Sequence, residues 1–337
     1  MHERKSFMHF LFVHTHPSAS VCVINRCGKY FCSHKTPFNE IQFLNSNRLK
    51  ENKEIAALLH LIDDPDEEVY HTVCDKIISL GKDIIPNLEN LWEQTINEEV
   101  QERIETMIHK LHFRDLTASF SEWKSAAGGL LQGAIHTARY HYPEIQEKEV
   151  LQEAEKIRRN IWLELNNFLT PLEQVTVISS ILYNYYKLQG VEIAYSQPED
   201  FLINKTLETK KGNAISNGIL YLVFCELLDI PVRAINIPRQ FILAYIDPQM
   251  EILNPMAHNS EKIKFYIDPL NGQVYSHKDI ENYFKRISVP PTTSYFRAMN
   301  NKQLIQFLLE ELSKCFDNDR NQYKREELLL LVKLLDE

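Results

Sequence analysis

The chain has 337 residues, 44% hydrophobic and 25% charged, the composition of an ordinary soluble globular protein that is long enough for two or more domains. Its 37 basic and 46 acidic residues give a net charge of −9, which argues against nucleic-acid binding as the default role. No run approaches the roughly 18 apolar residues that cross a bilayer, so we expect a cytoplasmic protein without a membrane partner.

Residues 1–48 differ from the rest of the chain, because they contain several histidines and three cysteines, Cys22, Cys27 and Cys32. A zinc site is one interpretation, although the ligand spacing narrowly misses the common pattern. A signal peptide is another, since two basic residues precede the apolar run at 7–13. We expect instead a poorly structured leader, such as a misassigned upstream start codon would add.

Residues 49–113 show the periodicity of paired amphipathic helices. Their apolar stripes contain Ile55, Leu58, Leu59, Ile62, then Val69, Val73, Ile77, Leu80, then Ile84, Leu88, Leu91, Ile96, then Val100, Ile104, Met107 and Leu111. The sequence Asp-Asp-Pro-Asp at 63–66 ends one helix and caps the next. The layout resembles two HEAT-like repeats, whose role would be contact with a partner along one face or a structural cap.

Further helices are predicted upstream of residue 206, including residues 150–167 and 172–188. Gly128, Gly129 and Gly133 interrupt this helical pattern. No strand precedes them, and their spacing fits neither a dinucleotide-binding nor a Walker motif. These glycines therefore indicate close packing between helices.

The most strongly patterned stretch spans residues 207–272. Apolar residues at helical spacing run from Ile215 to Leu228, after a start signal at 212–213 and before a stop at Pro231. Short apolar runs bounded by prolines or by an Asp-Pro pair predict three strands, at 232–237, 241–246 and 263–267.

The C-terminal part of the chain is predicted to be helical. A short helix at 277–286 precedes a Pro-Pro pair that marks a boundary. Residues 296–315 and 323–335 then predict a helical hairpin. Four consecutive leucines at 328–331 imply burial or contact with a partner helix.

The central stretch resembles the transglutaminase-like (papain-related) core, specifically that of the bacterial SirB-type transglutaminase-like family. In that core a nucleophile begins a helix, a histidine lies on the next strand and an aspartate on the strand after it. The matching segments are 212–214 (GNA), 230–233 (IPVR), 238–241 (PRQF) and 267–269 (IDP), with upstream matches at 128–134 (GGLLQGA) and 138–140 (ARY).

The resemblance implies an α+β, mostly helical fold. A transglutaminase-like core with a small antiparallel sheet is expected over residues 114–287. An N-terminal α-helical repeat unit would occupy residues 49–113, and a C-terminal helical hairpin residues 288–337.

Two of the three catalytic positions implied by the resemblance lack the expected side chain. Ala214 stands at the nucleophile position and Gln240 at the histidine position, so Asp268 alone remains. Alanine has no nucleophilic atom, and glutamine does not titrate near neutral pH and cannot act as a general base. The sequence therefore predicts a fold whose hydrolytic triad is absent.

No neighbouring residue is expected to replace this chemistry. Ser216 is rotated by about 200° from Ala214 around the predicted helix, and Cys225 lies about 16 Å further along its axis. Cys225 is expected to be a small core residue. His258 is expected to be a solvated loop residue that would have to swing toward Asp268 to act as a base.

The remaining candidates for ligand binding are Asn213, Gln240 and Asp268, although Asp268 also suits a structural turn. We favour a non-catalytic protein that binds a protein, peptide or small ligand through this cleft or through the helical repeats. The alternatives are a hydrolase or acyltransferase that uses an unrecognised nucleophile with Asp268, and a purely structural subunit. Isolated cysteines and the lack of a phosphate-binding loop lead us to expect neither metal nor cofactor.

Overall fold

The computed structural model describes residues 53–254, 256–317 and 321–336, together with a pair of short strands near the start of the chain. These are β1 (Cys22–Ile24) and β2 (Tyr30–Cys32), which pair antiparallel. Apart from these two strands, the residues on which the predictions of a leader, a zinc site and a signal peptide rest lie outside the described residues.

Helices dominate the described chain. They are α1 (53–60), α2 (Glu67–Ser79), α3 (Ile85–Gln94), α4 (Glu98–Ser125), α5 (Leu130–His141), α6 (Glu147–Glu164), α7 (Pro171–Ser179), α8 (Ile203–Thr209), α9 (Ala214–Leu227), α10 (Pro248–Leu253), α11 (His277–Ile287), α12 (Asn301–Ser313) and α13 (Gln322–Asp336). The later strands are β3 (Gln189–Gly190), β4 (Lys211–Gly212), β5 (Val232–Ile237), β6 (Gln240–Ile246), β7 (Ile263–Ile267) and β8 (Val274–Tyr275). The predicted α+β, mostly helical architecture is confirmed. Among the described residues, no helix combines the length and apolarity needed to cross a bilayer.

The chain divides into two compact units, the first of which comprises residues 1–80 and 86–104. In this unit α2 begins where predicted, because the Asp66 carboxylate caps its first turn. Arg103 of α4 donates to the carbonyl oxygens of Ile62 and Asp64, at 3.2 and 2.9 Å, and so fixes the loop before α2. These contacts support the helical pairing, while the HEAT-like character of the repeat stays a prediction.

The second compact unit comprises residues 81–85 and 105–337. Helix α4 belongs to both units and continues without interruption to Ser125. The boundary predicted between residues 113 and 114 therefore falls inside a continuous helix.

The glycines upstream of the sheet pack as the sequence predicted. Gly128 and Gly133 both lie directly against the Trp123 side chain, with no room for a Cβ atom. The Trp123 indole N–H donates to the carbonyl oxygen of Gly129 at 2.9 Å. The glycines thus let α4 and α5 approach each other closely around one tryptophan.

Helix α9 lies at the centre of the second unit. Every residue from Ile215 to Cys225 is buried, as expected of a helix that is apolar on all faces. It contacts α5, α8, β5 and β6. The helix ends at Leu227, after which Asp229 adopts a left-handed φ of 55° and Pro231 follows, so the predicted stop is confirmed.

Strands β5 to β8 form a four-stranded antiparallel meander beside α9. A two-residue turn joins β5 to β6, so that Ile237 lies opposite Gln240. Ala234 and Leu243 face the core that contains α9, whereas Ile235 faces a second core that includes residues of α11. The sheet is therefore buried on both faces, which explains why its strands read as continuous apolar runs.

Helix α6 begins and ends three residues earlier than the predicted helix 150–167. Two further helices differ more strongly from their predicted extents. The predicted helix 172–188 divides into α7 and a π-helical turn at Ser180–Tyr185, and β3 follows. The predicted helix 296–315 begins later, because Asn300 forms a capping box with Gln303 at the start of α12. An apolar pattern does not show either change, since both depend on hydrogen bonding of the backbone.

Candidate functional site

Asn213 and Ala214 form the N-terminus of α9, where the resemblance places a nucleophile. The Asn213 side chain is fully buried, and its Oδ1 accepts hydrogen bonds from the backbone N–H groups of Ile215 and Ser216, at 2.9 and 3.1 Å. This cap satisfies two amides that a helix start leaves without an intrahelical partner. Ala214 is half-buried at the first helical position, and its methyl group cannot attack a carbonyl carbon.

Strands β3 and β4 hold the start of α9 beside the turn that follows β7. Gly190 of β3 pairs in parallel with Gly212 of β4, the residue before Asn213. A Cβ atom on Gly190 would lie 2.5 Å from the backbone oxygen of Leu270, so this close approach requires glycine. Because Leu270 is two residues beyond Asp268, the aspartate turn lies next to the segment that leads into α9.

Gly218, one helical turn after Ala214, lies close to residues of β6 and of the turn after β7. A Cβ atom on Gly218 would lie 2.5 Å from Cε1 of Phe241 and 3.3 Å from Cβ of Pro269. Phe241 follows Gln240 in the chain, and Pro269 follows Asp268. The first turns of α9 therefore contact the residues that follow Gln240 and Asp268 in the chain. Side chains alternate along a strand, so Gln240 lies on the opposite face of the sheet from Phe241 and α9, and a shared site of Ala214, Gln240 and Asp268 stays a prediction.

Asp268 is the centre of a hydrogen-bonded turn. Its Oδ1 accepts from the backbone N–H of Leu270 at 2.8 Å, and its Oδ2 accepts from the Tyr275 hydroxyl at 3.3 Å. The backbone oxygen of Asp268 accepts from the N–H of Gly272 at 2.8 Å. Tyr183 donates to the carbonyl oxygen of Pro269 at 2.7 Å. Asp268 thus stabilises the turn that follows β7, and both of its carboxylate oxygens accept hydrogen bonds there.

Gln240 is exposed at the first position of β6 and lines a cavity of about 310 Å³. The rest of the lining comes from β8 and α11, namely Tyr275, Asp279, Ile280, Asn282, Tyr283 and Arg286. Tyr275 is the link to the aspartate position, since it lines this cavity and donates to Asp268. Burial, and after it the charge of Asp268, raises the pKa of Tyr275, so its hydroxyl stays protonated at neutral pH.

The residues considered as substitutes for the nucleophile or the base are not placed for catalysis. Ser216 is buried, and its hydroxyl donates to the carbonyl oxygen of Asp200 at 2.6 Å. Cys225 is fully buried, and burial raises its pKa far above the usual range for a thiol. His258 is exposed and precedes a short 3₁₀ turn. Among the described residues, no group of histidine, cysteine and carboxylate side chains could hold a metal ion.

The α11 side of the cavity was not expected from the sequence. Tyr283 and Arg286 are three residues apart on α11, on a polar face beside the buried Ile280 and Phe284. A helical projection of the predicted helix 277–286 would have shown this polar face. It would not have shown that Gln240 lies across from it, because that pairing depends on the folded hairpin.

Comparison with known proteins identifies the domain that carries these positions. Residues 148–310 match the model of the transglutaminase-like superfamily. The UPF0162 protein BU173 of Buchnera aphidicola subsp. Acyrthosiphon pisum is 24% identical over 166 residues, 49% of this chain and 49% of that protein. UPF0162 protein YchA of Escherichia coli K12 is 21% identical over 197 residues, 58% of this chain and 69% of that protein. Protein SirB1 of Salmonella typhimurium is 22% identical over 175 residues, 51% of this chain and 60% of that protein.

These similarities are partial. The chain spans about half the length of the Buchnera relative. No solved structure matches the chain. The match to the superfamily model includes α9, the sheet and α11, and so contains all three triad positions and the cavity.

Proposed function

We propose, from the premise that the chain carries a transglutaminase-like superfamily domain related to SirB1 and YchA, that this domain binds a ligand and does not catalyse acyl transfer or hydrolysis. The observation that carries the proposal is the N-terminus of α9, where the side chain at the nucleophile position is the methyl group of Ala214. The ligand would be a peptide, a segment of a protein or a small polar molecule bound at the cavity beside Gln240.

Acyl transfer through a covalent intermediate needs both a nucleophile and a base. Ala214 supplies no nucleophile, and Gln240 has no titrating group. Asp268 already accepts hydrogen bonds at both carboxylate oxygens. The Gln240 side chain can still bind a ligand, because its amide both donates and accepts hydrogen bonds.

One contact favours the alternative of an enzyme with a different nucleophile. The Tyr275 hydroxyl lies 3.3 Å from Oδ2 of Asp268 and lines the cavity, so a phenol and a carboxylate are paired there. Burial raises the pKa of this phenol, however, and a protonated phenol is a weak nucleophile. The pairing therefore supports binding more strongly than catalysis.

Turnover of a broad panel of amide, ester and amine-transfer substrates tests the proposal. The wild-type protein is compared with Asp268→Ala and Gln240→Ala. We expect the wild type to give no turnover above that of either variant. Turnover by the wild type that disappears in Asp268→Ala would overturn the proposal and direct attention to Tyr275.

A further inference from the structure

Helix α11 contributes polar and charged side chains to the cavity beside Gln240. Asp279, Asn282, Tyr283 and Arg286 are spaced at intervals of three, one and three residues, which places them along one side of the helix. Phe284, together with Ile280 at the edge of the cavity, packs into the second core of the sheet. The packing of these two residues holds α11 in place, and with it the polar side chains that line the cavity.

Arg286 is the positively charged group that lines this cavity. Its guanidinium lies 5.4 Å from the centre of the Tyr283 ring, a stacking distance. Within the described part of the chain, no carboxylate forms an ion pair with Arg286. The Tyr283 hydroxyl donates to the carbonyl oxygen of Pro238 at 2.7 Å, which fixes the ring on which Arg286 rests.

Asp279 does not neutralise Arg286. Its Oδ2 accepts from the backbone N–H and the hydroxyl of Ser276, at 2.8 and 2.7 Å, in the capping box that begins α11. These hydrogen bonds hold the pKa of Asp279 below its usual range. The carboxylate therefore complements the positive end of the helix, while Arg286 lies in the last turn.

The other polar groups complete a set of planar donors. Gln240 of β6 and Asn282 of α11 both line the cavity, and each carries an amide with two N–H donors. Tyr275 directs its proton to Asp268, so its oxygen is left to accept a hydrogen bond from a ligand. A volume of about 310 Å³ fits one residue-sized group rather than a folded surface.

We infer that this cavity binds the carboxylate of a small ligand or of a peptide C-terminus, with Arg286 as its charged partner and Gln240 as a second donor. A guanidinium and an amide present planar N–H donors that match the geometry of a carboxylate. An N–H group next to that carboxylate would donate to the Tyr275 oxygen. This inference rests on the proposed binding function and names its ligand class.

Calorimetric titration at low ionic strength tests the inference with the full chain. The probes are acetyl-trialanine with a free carboxylate, the same peptide as its C-terminal amide, free alanine and inorganic phosphate. We expect the free-acid peptide to bind and its amide to bind at least about tenfold more weakly, because a hydrogen bond to a charged group is lost. Binding of free alanine as tight as that of the peptide would assign the site to small carboxylates.

The matched variants are Arg286→Gln and Arg159→Gln, which remove the same charge from exposed positions, the second on α6 outside the cavity. We expect Arg286→Gln to weaken binding of the free-acid peptide about tenfold or more. Arg286→Lys should give an intermediate loss, because it keeps the charge without the planar donors. Arg159→Gln should bind as the wild type does.

Three results would overturn the inference. They are no saturable binding of any carboxylate probe at millimolar concentration, equal binding by Arg286→Gln and the wild type, and tighter Arg286-dependent binding of phosphate than of carboxylates. None of these depends on turnover. The substrate panel with Asp268→Ala therefore decides the non-catalytic function separately from the ligand class.

Discussion

The side chain of Asn213 determines how α9 begins. Its Oδ1 accepts from two backbone amides, whereas its Nδ2 is buried and has no hydrogen-bond partner in the described part of the chain. A buried donor without a partner costs free energy, so the two capping hydrogen bonds must outweigh that cost. Asn213 therefore serves the stability of the helix, which leaves Gln240 as the proposed ligand-binding side chain.

Replacing Asn213 with alanine removes the cap. We expect Asn213→Ala to lower the free energy of unfolding by about 1–2 kcal/mol, measured by urea denaturation. Asn213→Ser keeps an acceptor at this position and should lose less. Equal stability of the alanine variant and the wild type would show that Asn213 is not an effective cap.

The cysteines of the second unit should resist thiol reagents in the native protein. Burial raises the pKa of Cys315 to about 12, so at pH 8 only about one part in ten thousand is thiolate. Cys225 is fully buried and its pKa is raised as well. Peptide mapping after iodoacetamide treatment should find both unlabelled in the native protein and labelled in urea. Rapid native labelling of Cys225 would contradict the packing of α9.

Several elements meet at the aspartate turn, and each is fixed by a specific contact. The π-helical turn Ser180–Tyr185 directs Tyr183 to the carbonyl oxygen of Pro269 at 2.7 Å. The Ser179 hydroxyl donates to the carbonyl oxygen of Gly272 at 3.3 Å. Such π-helical turns widen a helix locally and often occur at functional sites. The helical layer and the sheet are therefore tied at the position of Asp268.

Close contact between α9 and the sheet should make Gly218 intolerant of any side chain. The ring of Phe241, which a Cβ atom would strike, is stacked on Phe307 at 5.6 Å between centroids and cannot move freely. We expect Gly218→Ala to destabilise the protein by about 1–3 kcal/mol in urea denaturation. Gly129→Ala is the control, because the nearest atom to an added Cβ there is the terminal Oε1 of the Glu226 side chain, at 3.1 Å. Equal effects of the two substitutions would argue against the close contact.

An ion-pair cluster joins α4 to α5 and makes stability depend on pH. Asp115 accepts from Arg139 at 2.8 Å and lies 3.3 Å from the Lys82 amine. Burial alone would raise the pKa of Asp115, but the hydrogen bonds from Lys82 and Arg139 outweigh it and lower the pKa.

Because the folded-state pKa of Asp115 is lowered, its contribution to stability is present above the unfolded pKa of about 3.9 and is lost as pH falls through the folded value. We expect the stability difference between the wild type and Asp115→Asn to be largest at neutral pH. It should shrink below about pH 4, as measured by urea denaturation at a series of pH values. A difference that is constant from pH 7 to pH 3 would contradict this account.

The elements could be predicted from the sequence where local patterns determine them. The apolar run from Ile215, the Asn213 cap and the stop at Pro231 are all local signals, and α9 has the predicted bounds. The strands β5 to β7 are likewise flanked by prolines. The π-helical turn and the late start of α12 were not predicted. Each depends on a few specific hydrogen bonds, such as those of the Asn300 cap, and a residue such as asparagine is common in turns as well as at helix starts.

The candidate site could be predicted only in part. The resemblance implied that Ala214, Gln240 and Asp268 share one site, and this stays a prediction. The cavity was not predicted, because Arg286 and Gln240 meet only after the hairpin and α11 have packed together. The full burial of Asn213 was also missed, since capping residues are usually exposed.

At the scale of the second unit, the site rests on one continuous core. Leu328 and Leu331 of α13 belong to the same buried cluster as the residues of α9 and the inner face of the sheet. The match to the superfamily model ends at residue 310, within α12, so this core extends beyond the matched segment. The core around α9 and the inner face of the sheet therefore includes elements on both sides of the end of the matched segment.

The resemblance implies that positions 214, 240 and 268 form one site, which would lack only the reactive side chains at 214 and 240. The most direct test is the burst of p-nitrophenol from p-nitrophenyl acetate, measured for the wild type, Ala214→Cys and the double variant Ala214→Cys/Gln240→His. A thiol at a helix N-terminus has a lowered pKa, so the account predicts a stoichiometric burst from the double variant and none from the wild type. A wild-type burst that disappears in Asp268→Ala, or a double variant that reacts no faster than a cysteine-containing peptide, would contradict it.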